Sequence, residues 1–269
     1  MSVARSTPKV VVVMPAYNAA RTLEATYRGL AMDVVDEVIL VDDVSHDDTV
    51  DIAERLGLKV VVHIQNRGYG GNQKTCYLEA LRSGADVVVM VHPDNQYDST
   101  LVPQMIQPIL DGQADIVLGS RLLSGTALSG GMPWWKFIAN RFLTVVENGA
   151  FGLHLSEYHT GFRAYSRRLL ETVPFLLNSD DFVFDQEIMA QAVCFGFRVG
   201  EIPVPTRYFA EASSVNFERS VEYGFAVLKL VLRFTLHRAH IWRSRKFTMR
   251  LADILAPRHR EEILRSTQT

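Results

Sequence analysis

The 269 residues carry 28 Lys and Arg against 30 Asp and Glu, a net charge of −2, with 48% apolar and 22% charged side chains. This balance excludes a disordered chain, a collagen-like repeat and a multi-span membrane protein, and it offers no strongly basic surface for nucleic acid. The cysteines, Cys76 and Cys194, lack CxxC spacing, so neither a disulfide framework nor a zinc cage is expected, and a reducing compartment is.

The first ten residues hold charge but no apolar signal region, and the run Val10 to Met14 is too short for export, so a cytosolic location is expected. Five apolar runs of strand length follow: 9–14, 37–41, 59–64, 86–91 and 115–118. Their continuous hydrophobicity predicts buried parallel strands. Between them, Leu23, Tyr27 and Leu30 recur at helical spacing, a second helix opens at Asp47 or Asp48 and stops at Gly57, and a third runs from about Asn72 to Gly84. Repeated strand-helix-strand units predict a central sheet with helices on both faces. A Gly/Ser loop at 124–131 reads as a mobile element over a site, and a helix opens near Pro133-Trp134-Trp135. Further on come a strand at 162–165, a helix at 185–194, a strand at 199–204 and a helical remainder from about Ser220. Lys229 and Arg233 interrupt the longest apolar stretch, so no bilayer-spanning helix is expected.

In open parallel sheets ligands bind beyond the carboxyl ends of strands, and four of these ends are polar. The first runs into Pro15-Ala16-Tyr17-Asn18, the second into Asp42-Asp43-Val44-Ser45, the fourth into His92-Pro93-Asp94-Asn95-Gln96 and the fifth into Gly119-Ser120-Arg121. If strand geometry continues, His92, Asp94 and Gln96 project to one side and offer N and O donors to one divalent ion such as Mg²⁺ or Mn²⁺. The alternative is a plain turn, for which His-Pro-Asp-Asn is good chemistry. Asp42 and Asp43 either belong to a helix cap or receive hydrogen bonds from a ribose or base. In Asn66-Arg67-Gly68-Tyr69-Gly70-Gly71-Asn72 the dinucleotide register GxGxxG fails at Gln73, so the glycines are read as allowing a ligand close to the backbone at a helix start.

Taken in order, Pro15 to Asn18, Val41 to Thr49, Asn66 to Gly70, Asp94 with Gln96, Gly119 to Arg121 and Thr160-Gly161-Phe162-Arg163-Ala164 resemble the family 2, GT-A-fold glycosyltransferases, especially the polyprenyl-phosphate sugar transferases. The resemblance covers roughly residues 9–210. It implies an α/β fold of GT-A type, a Rossmann-like sandwich with a mostly parallel sheet. Residues 1–215 would form the catalytic domain, with a nucleotide-sugar half to about 121 and an acceptor half from about 122. Residues 216–269 would form a basic helical segment.

The resemblance also implies roles. Pro15, Tyr17, Asn18, Asp42, Asp43 and Gly68 would line the nucleotide-sugar site, together with Asp94 and Arg121. His92, Asp94 and Gln96 stand where the family has an Asp-x-Asp-x-Gln metal pattern, and His92 is this chain's departure, one that removes a negative charge and favours Mn²⁺. Arg121 would sit beside the donor diphosphate, and Arg141, Arg163 and Arg207 would serve the acceptor.

Transfer from a nucleotide sugar needs a leaving group relieved of charge, and a divalent ion anchored by Asp94 would supply that. A lipid-phosphate acceptor arrives ionised and needs positioning by arginines such as Arg121 and Arg141. A saccharide hydroxyl needs a base, for which Asp185 and Glu187 in Phe184-Asp185-Gln186-Glu187 are the candidates; the plain alternative is a helix start with acids in its first turn. The reading is therefore an inverting hexosyltransferase acting on polyprenyl phosphate. Transfer to a saccharide hydroxyl in surface-polymer assembly, or a non-catalytic nucleotide-sugar binder, stand as alternatives. Arg238, Arg243, Arg245, Lys246 and Arg250, with Trp242 and Phe247 among them, either rest on an anionic membrane surface or form a solvated tail on a packed helix.

Overall fold

A computed structural model of the chain describes residues 7–125, 127–205 and 217–264. Its first half alternates β1 (Val10–Ala16), α1 (Leu23–Arg28), β2 (Glu37–Asp42), α2 (Thr49–Arg55), β3 (Lys59–Val62), α3 (Gly68–Arg82), β4 (Val87–Met90), α4 (Val102–Leu110) and β5 (Ile116–Ser120). The second half adds α5 (Trp134–Phe151), β6 (Arg163–Ser166), α6 (Arg167–Thr172), α7 (Phe184–Cys194), β7 (Val199–Pro203), α8 (Phe217–Arg238), α9 (Leu251–Ile254) and α10 (Pro257–Ile263).

The strands form one seven-stranded sheet in the order β3-β2-β1-β4-β6-β5-β7. All pairings are parallel except those of β6, which runs antiparallel between β4 and β5. Because β6 is reversed, the loop entering it arrives at the same sheet edge as the carboxyl ends of β4 and β5. Residues 157–163 thereby join the site. The sheet also binds the two halves of the chain into one body, since β6 and β7 pair with strands of the first half.

Strand side chains alternate between two cores. Val11 and Val13 face a layer that includes Tyr77 of α3, Leu143 of α5, Ile188 of α7 and Val227 of α8, whereas Val10, Val12 and Met14 face Leu23 of α1, Ala53 of α2 and Met105 of α4. Burial on both faces is why these strands read as unbroken Val/Ile runs. The third run departs from the expected buried strand. β3 is an edge strand, only half covered, and Val62 and Ile64 are exposed.

In the Gly/Ser loop before α5 Ala127 is buried, as is Met132 just after it. Beyond α8 the chain does not continue as one helix. It turns and packs back, burying Phe247, Leu251, Leu255 and Ile263 in the same core as α3 and α7, while Arg167 donates to the Ile263 carbonyl at 2.7 Å. Among the described residues no helix is long and apolar enough to cross a membrane.

Candidate active site

The ends of β1 and β2 are laced together. Asn18 N–H donates to Ser45 Oγ at 2.8 Å, His46 N–H to Asn18 Oδ1 at 2.8 Å, Ala19 N–H to Thr49 Oγ1 at 2.8 Å and Asp43 N–H to the Ala16 carbonyl at 2.9 Å. Asn18 and Val44 pay for this with positive φ values of 52° and 68°, the latter a conformation that a β-branched residue rarely adopts. Tyr17 is exposed beside them and Pro15 half-buried.

The two adjacent aspartates do different things. Asp43 accepts from Arg67 N–H at 2.8 Å, Gly68 N–H at 2.9 Å and the His63 ring at 2.7 Å, so its carboxylate shapes the start of α3. Asp42 is 1% exposed, takes Ser45 N–H on Oδ2 at 2.9 Å, and its Oδ1 has no partner among the described residues. An orphaned buried carboxylate oxygen is costly unless a ligand satisfies it.

The glycines at the start of α3 require a correction. What approaches their backbone is the chain itself. Gly70 N–H donates to the Asp180 carbonyl at 2.7 Å, and a Cβ at Gly68, whose φ is +77°, would lie 2.8 Å from that carbonyl oxygen. The extra anchoring by Asp43 and Asp180 also starts α3 at Gly68, four residues earlier than the periodicity suggested.

Strand geometry does not continue through His92, Asp94 and Gln96. β4 stops at Met90, Pro93 follows, and Asn95 takes φ 56°, so a turn interrupts the three, as the Pro-Asp-Asn chemistry allows. Asp94 accepts Gln96 N–H at 3.1 Å, and burial raises its pKa, only partly offset by His92. Among the described residues no group of three His, Cys, Asp or Glu is placed to hold a metal. The candidate set is one imidazole, one carboxylate and one amide, with His92 and Gln96 flanking the turn at 93–95, a donor chemistry that suits Mn²⁺.

Beside this turn is a cavity of about 170 Å³ lined by Tyr69, His159, Gly161, Asp185, Gln186 and Tyr223 among others. Tyr69 O–H donates to Asp185 Oδ2 at 2.7 Å and lies 3.3 Å from His92 Nε2. Burial and the Asp185 charge push the Tyr69 pKa well up, so the phenol keeps its proton. Asp185 Oδ1 is buried without a partner. On the far wall His159 Nδ1 is 2.8 Å from Tyr223 Oη, its Nε2 is 3.1 Å from Glu147 Oε2, and Gln186 donates to Tyr223 Oη at 2.8 Å.

The arginines separate by environment. Arg163 is 1% exposed and donates to the carbonyls of Thr160, Asp185 and Tyr158 at 2.7–3.0 Å, so it holds together the loops under the cavity. Arg121 is ion-paired with buried Glu157 and donates to the His159 carbonyl. Arg141 is exposed on α5. Arg207 lies outside the described residues. Glu187 takes Ser179 N–H at 2.6 Å and pairs with Lys246, which ties the C-terminal segment to α7 and keeps this carboxylate from the cavity that Asp185 lines. Lys246 is thus not part of a solvated tail.

Tyr69, Glu157, His159 and Tyr223 were not foreseen. Tyr69 stands inside the glycine run, and Glu157 is the acid four residues before Gly161. Lys136 was also missed; burial and the nearby Arg121 charge lower its pKa, which places a second cation near Arg121 at the start of α5.

Residues 11–173 match the family model described as glycosyl transferase family 2. A UDP-N-acetylglucosamine–dolichyl-phosphate N-acetylglucosaminyltransferase of Methanococcus voltae is 26% identical over 242 residues, 82% of this chain and 96% of its own length. A polyprenol monophosphomannose synthase of Mycolicibacterium smegmatis is 26% identical over 245 residues, 87% of this chain and 91% of its own. Among solved structures, glucosyl-3-phosphoglycerate synthase from Mycobacterium tuberculosis with phosphoglyceric acid superposes with a TM-score of 0.66 at 21% identity, covering 89% of this chain and 83% of that one. The likeness carries the fold, a mostly parallel GT-A sheet between helical layers.

Proposed function

The chain belongs to glycosyl transferase family 2, and on that premise we propose that this glycosyltransferase moves a hexose, with inversion, from a UDP- or GDP-sugar to a polyprenyl phosphate at a membrane surface. The observation that carries the reading is the convergence at one sheet edge of two unlike subsites. The β1/β2 ends hold the orphaned Asp42 oxygen, and the cavity joins Tyr69 and Asp185 to the His92 turn. The relatives named for dolichyl-phosphate and polyprenol substrates support the acceptor class.

In this reading Asp42 receives hydrogen bonds from the nucleoside, and the laced loops after β1 and β2 hold Pro15, Tyr17 and Asn18 around it. His92, Asp94 and Gln96 would hold a divalent cation; a complex of the mycobacterial synthase contains Mn²⁺, uridine diphosphate and glucosyl-3-phosphoglycerate. When bound, the cation supplies Lewis-acid stabilisation to the departing diphosphate. Arg121, braced by Glu157, and Lys136 add positive charge at the end of β5. Arg141 is the exposed cation on α5 available to an acceptor phosphate. A phosphate oxygen is already anionic, so the chain's task is to align it and exclude water rather than to remove a proton.

The membrane reading is supported by apolar side chains left exposed on α5 and α8, and by residues 223–252, which contain seven Lys and Arg and no acid. Incubation with labelled UDP- and GDP-hexoses and a short polyprenyl phosphate should yield an organic-extractable product that disappears in Asp94→Ala. A product undiminished in that variant removes the metal assignment, and no product with any donor removes the acceptor.

One observation favours a hydroxyl acceptor as the second reading. Asp185 Oδ1 lies buried and unpartnered at the cavity, where a base would stand. Asp185→Asn, assayed at saturating Mn²⁺, separates the two: loss of about 10²-fold or more in kcat, with donor affinity kept, marks a general base, whereas an ionised phosphate acceptor predicts a much smaller loss.

A further inference from the structure

An aspartate offers a cation either oxygen, but an imidazole binds only through a nitrogen lone pair, so a histidine ligand has to be held in one tautomer and one orientation. His92 is held on two sides. The Tyr69 ring stacks beside it with centroids 5.5 Å apart and planes 15° from parallel. On another side Gly161 approaches so closely that an added Cβ would lie 2.7 Å from His92 Cδ2 and 2.9 Å from Nε2. The Cδ2–Nε2 edge is therefore the enclosed one, and Nδ1 is the ring atom opposite it. Among the described residues Nδ1 makes no hydrogen bond.

The protons can be followed. Tyr69 has a single hydroxyl hydrogen, and it goes to Asp185 Oδ2 at 2.7 Å. The phenol oxygen that remains 3.3 Å from Nε2 can then only accept, so a hydrogen bond between them uses the imidazole's own hydrogen. Phe182, 4.8 Å from the Tyr69 ring, supports the phenol from behind. We propose that Tyr69, oriented by Asp185, is a positioning residue that fixes His92 as the Nε2–H tautomer and so leaves the Nδ1 lone pair as the one available to a cation. The inference rests on the reading of His92 as a ligand. It explains how this chain accommodates histidine at that place: Gly161 makes room for the ring, and the Tyr69–Asp185 pair settles which nitrogen is offered.

Two measurements test it. In the metal-free protein, ¹⁵N–¹H correlation spectra of the imidazoles, with His92→Gln identifying the signal, should show Nε2 protonated and Nδ1 bare; an Nδ1–H tautomer overturns the proposal. Mn²⁺ affinity in the presence of UDP, read by electron paramagnetic resonance, should fall by about 10- to 100-fold in Tyr69→Phe, the usual effect of losing an outer-shell partner. The same substitution in a His92→Asp background should leave Mn²⁺ affinity unchanged, because a carboxylate has no tautomer to fix. Equal losses in both backgrounds, or no loss in the first, overturn the role of Tyr69. If His92→Ala itself leaves Mn²⁺ affinity untouched, the ligand reading fails, and the inference with it.

Discussion

Asp185 and Glu187 stand two residues apart in the first turn of α7, yet they face different surroundings. Asp185 meets Tyr69 and the cavity, while Glu187 is closed off by Ser179 and Lys246. Glu187→Gln is therefore expected to cost about 2 kcal/mol, less than the 3–5 of a fully buried pair because Lys246 keeps some solvent, while kcat at temperatures where the protein is folded changes little. Thermal unfolding beside transfer kinetics checks this, and a collapse of kcat without loss of stability would return Glu187 to the chemistry. Glu157 offers a pH test. Burial works against its charge, but the Arg121 guanidinium and the hydrogen bonds outweigh it and hold the pKa below its ordinary 4.5. A depressed carboxylate stabilises the fold fully above the unfolded value and loses that stabilisation as pH falls through the folded one. The gap in urea-unfolding free energy between the wild type and Glu157→Gln should thus be widest near neutrality and close progressively below pH 4.5. A gap that grows on acidification contradicts the pairing. The sequence shows that these acids exist near a site. Which of them serves structure depends chiefly on partners as far as 36 to 116 residues away, and no local pattern encodes that.

At the scale of elements, continuous apolar runs locate the five strands of the first half, and four of them read so because both faces of the sheet are covered there. The errors lie where tertiary contact overrides the pattern. β3 is half exposed because it ends the sheet, and α3 begins early because Asp43 and Asp180 capture backbone that the glycine run leaves thin enough to approach. The antiparallel course of β6 was not legible, since four residues carry no direction. Two glycines in helices show the difference between space and no space. A Cβ at Gly70 would meet the Ser179 carbonyl and come within 2.8 Å of Phe184 Cβ, so Gly70→Ala should destabilise by about 1–3 kcal/mol through overpacking. Gly149, on α5, has nothing within 4 Å of an added Cβ, and Gly149→Ala should stabilise by about 0.5–1 kcal/mol by restricting the unfolded chain. Denaturant midpoints of both variants check the pair, and a neutral Gly70→Ala would mean that the 179–180 segment is not pressed against α3.

For the whole molecule, the question is why α5 and α8 leave so much apolar surface uncovered. The helices run side by side from the Trp135–Phe217 contact at 5.3 Å to the Phe151–Phe234 contact at 4.9 Å. α8 buries Val227, Leu230, Val231 and Phe234 toward the core, yet Phe217, Val221, Phe225 and Leu232 point away from it at helical spacing, as Trp134, Ile138, Phe142 and Val145 do on α5. Trp134 is 71% exposed and Phe225 69%, too much for side chains whose only role is packing. Ser220 and Tyr223, which line the cavity, lie on the same turns of α8 as Val221 and Phe225. A bilayer surface that received these stripes would bring its lipid phosphates near the cavity, and the acid-free run 223–252 supplies charge of the sign that an anionic leaflet attracts. The protein should therefore sediment with phosphatidylglycerol-rich vesicles, with binding that weakens in salt without being abolished, and partitioning should fall by about 10²- to 10³-fold in Phe142→Ser/Phe225→Ser, since two phenyl rings at roughly 2 kcal/mol each come to about 4 kcal/mol when fully buried. Circular dichroism of the double variant guards against misfolding, because neither ring belongs to the core. Equal partitioning of both proteins, or none in either, would detach the acceptor lipid from this face of the molecule and favour a soluble saccharide reaching the cavity from water.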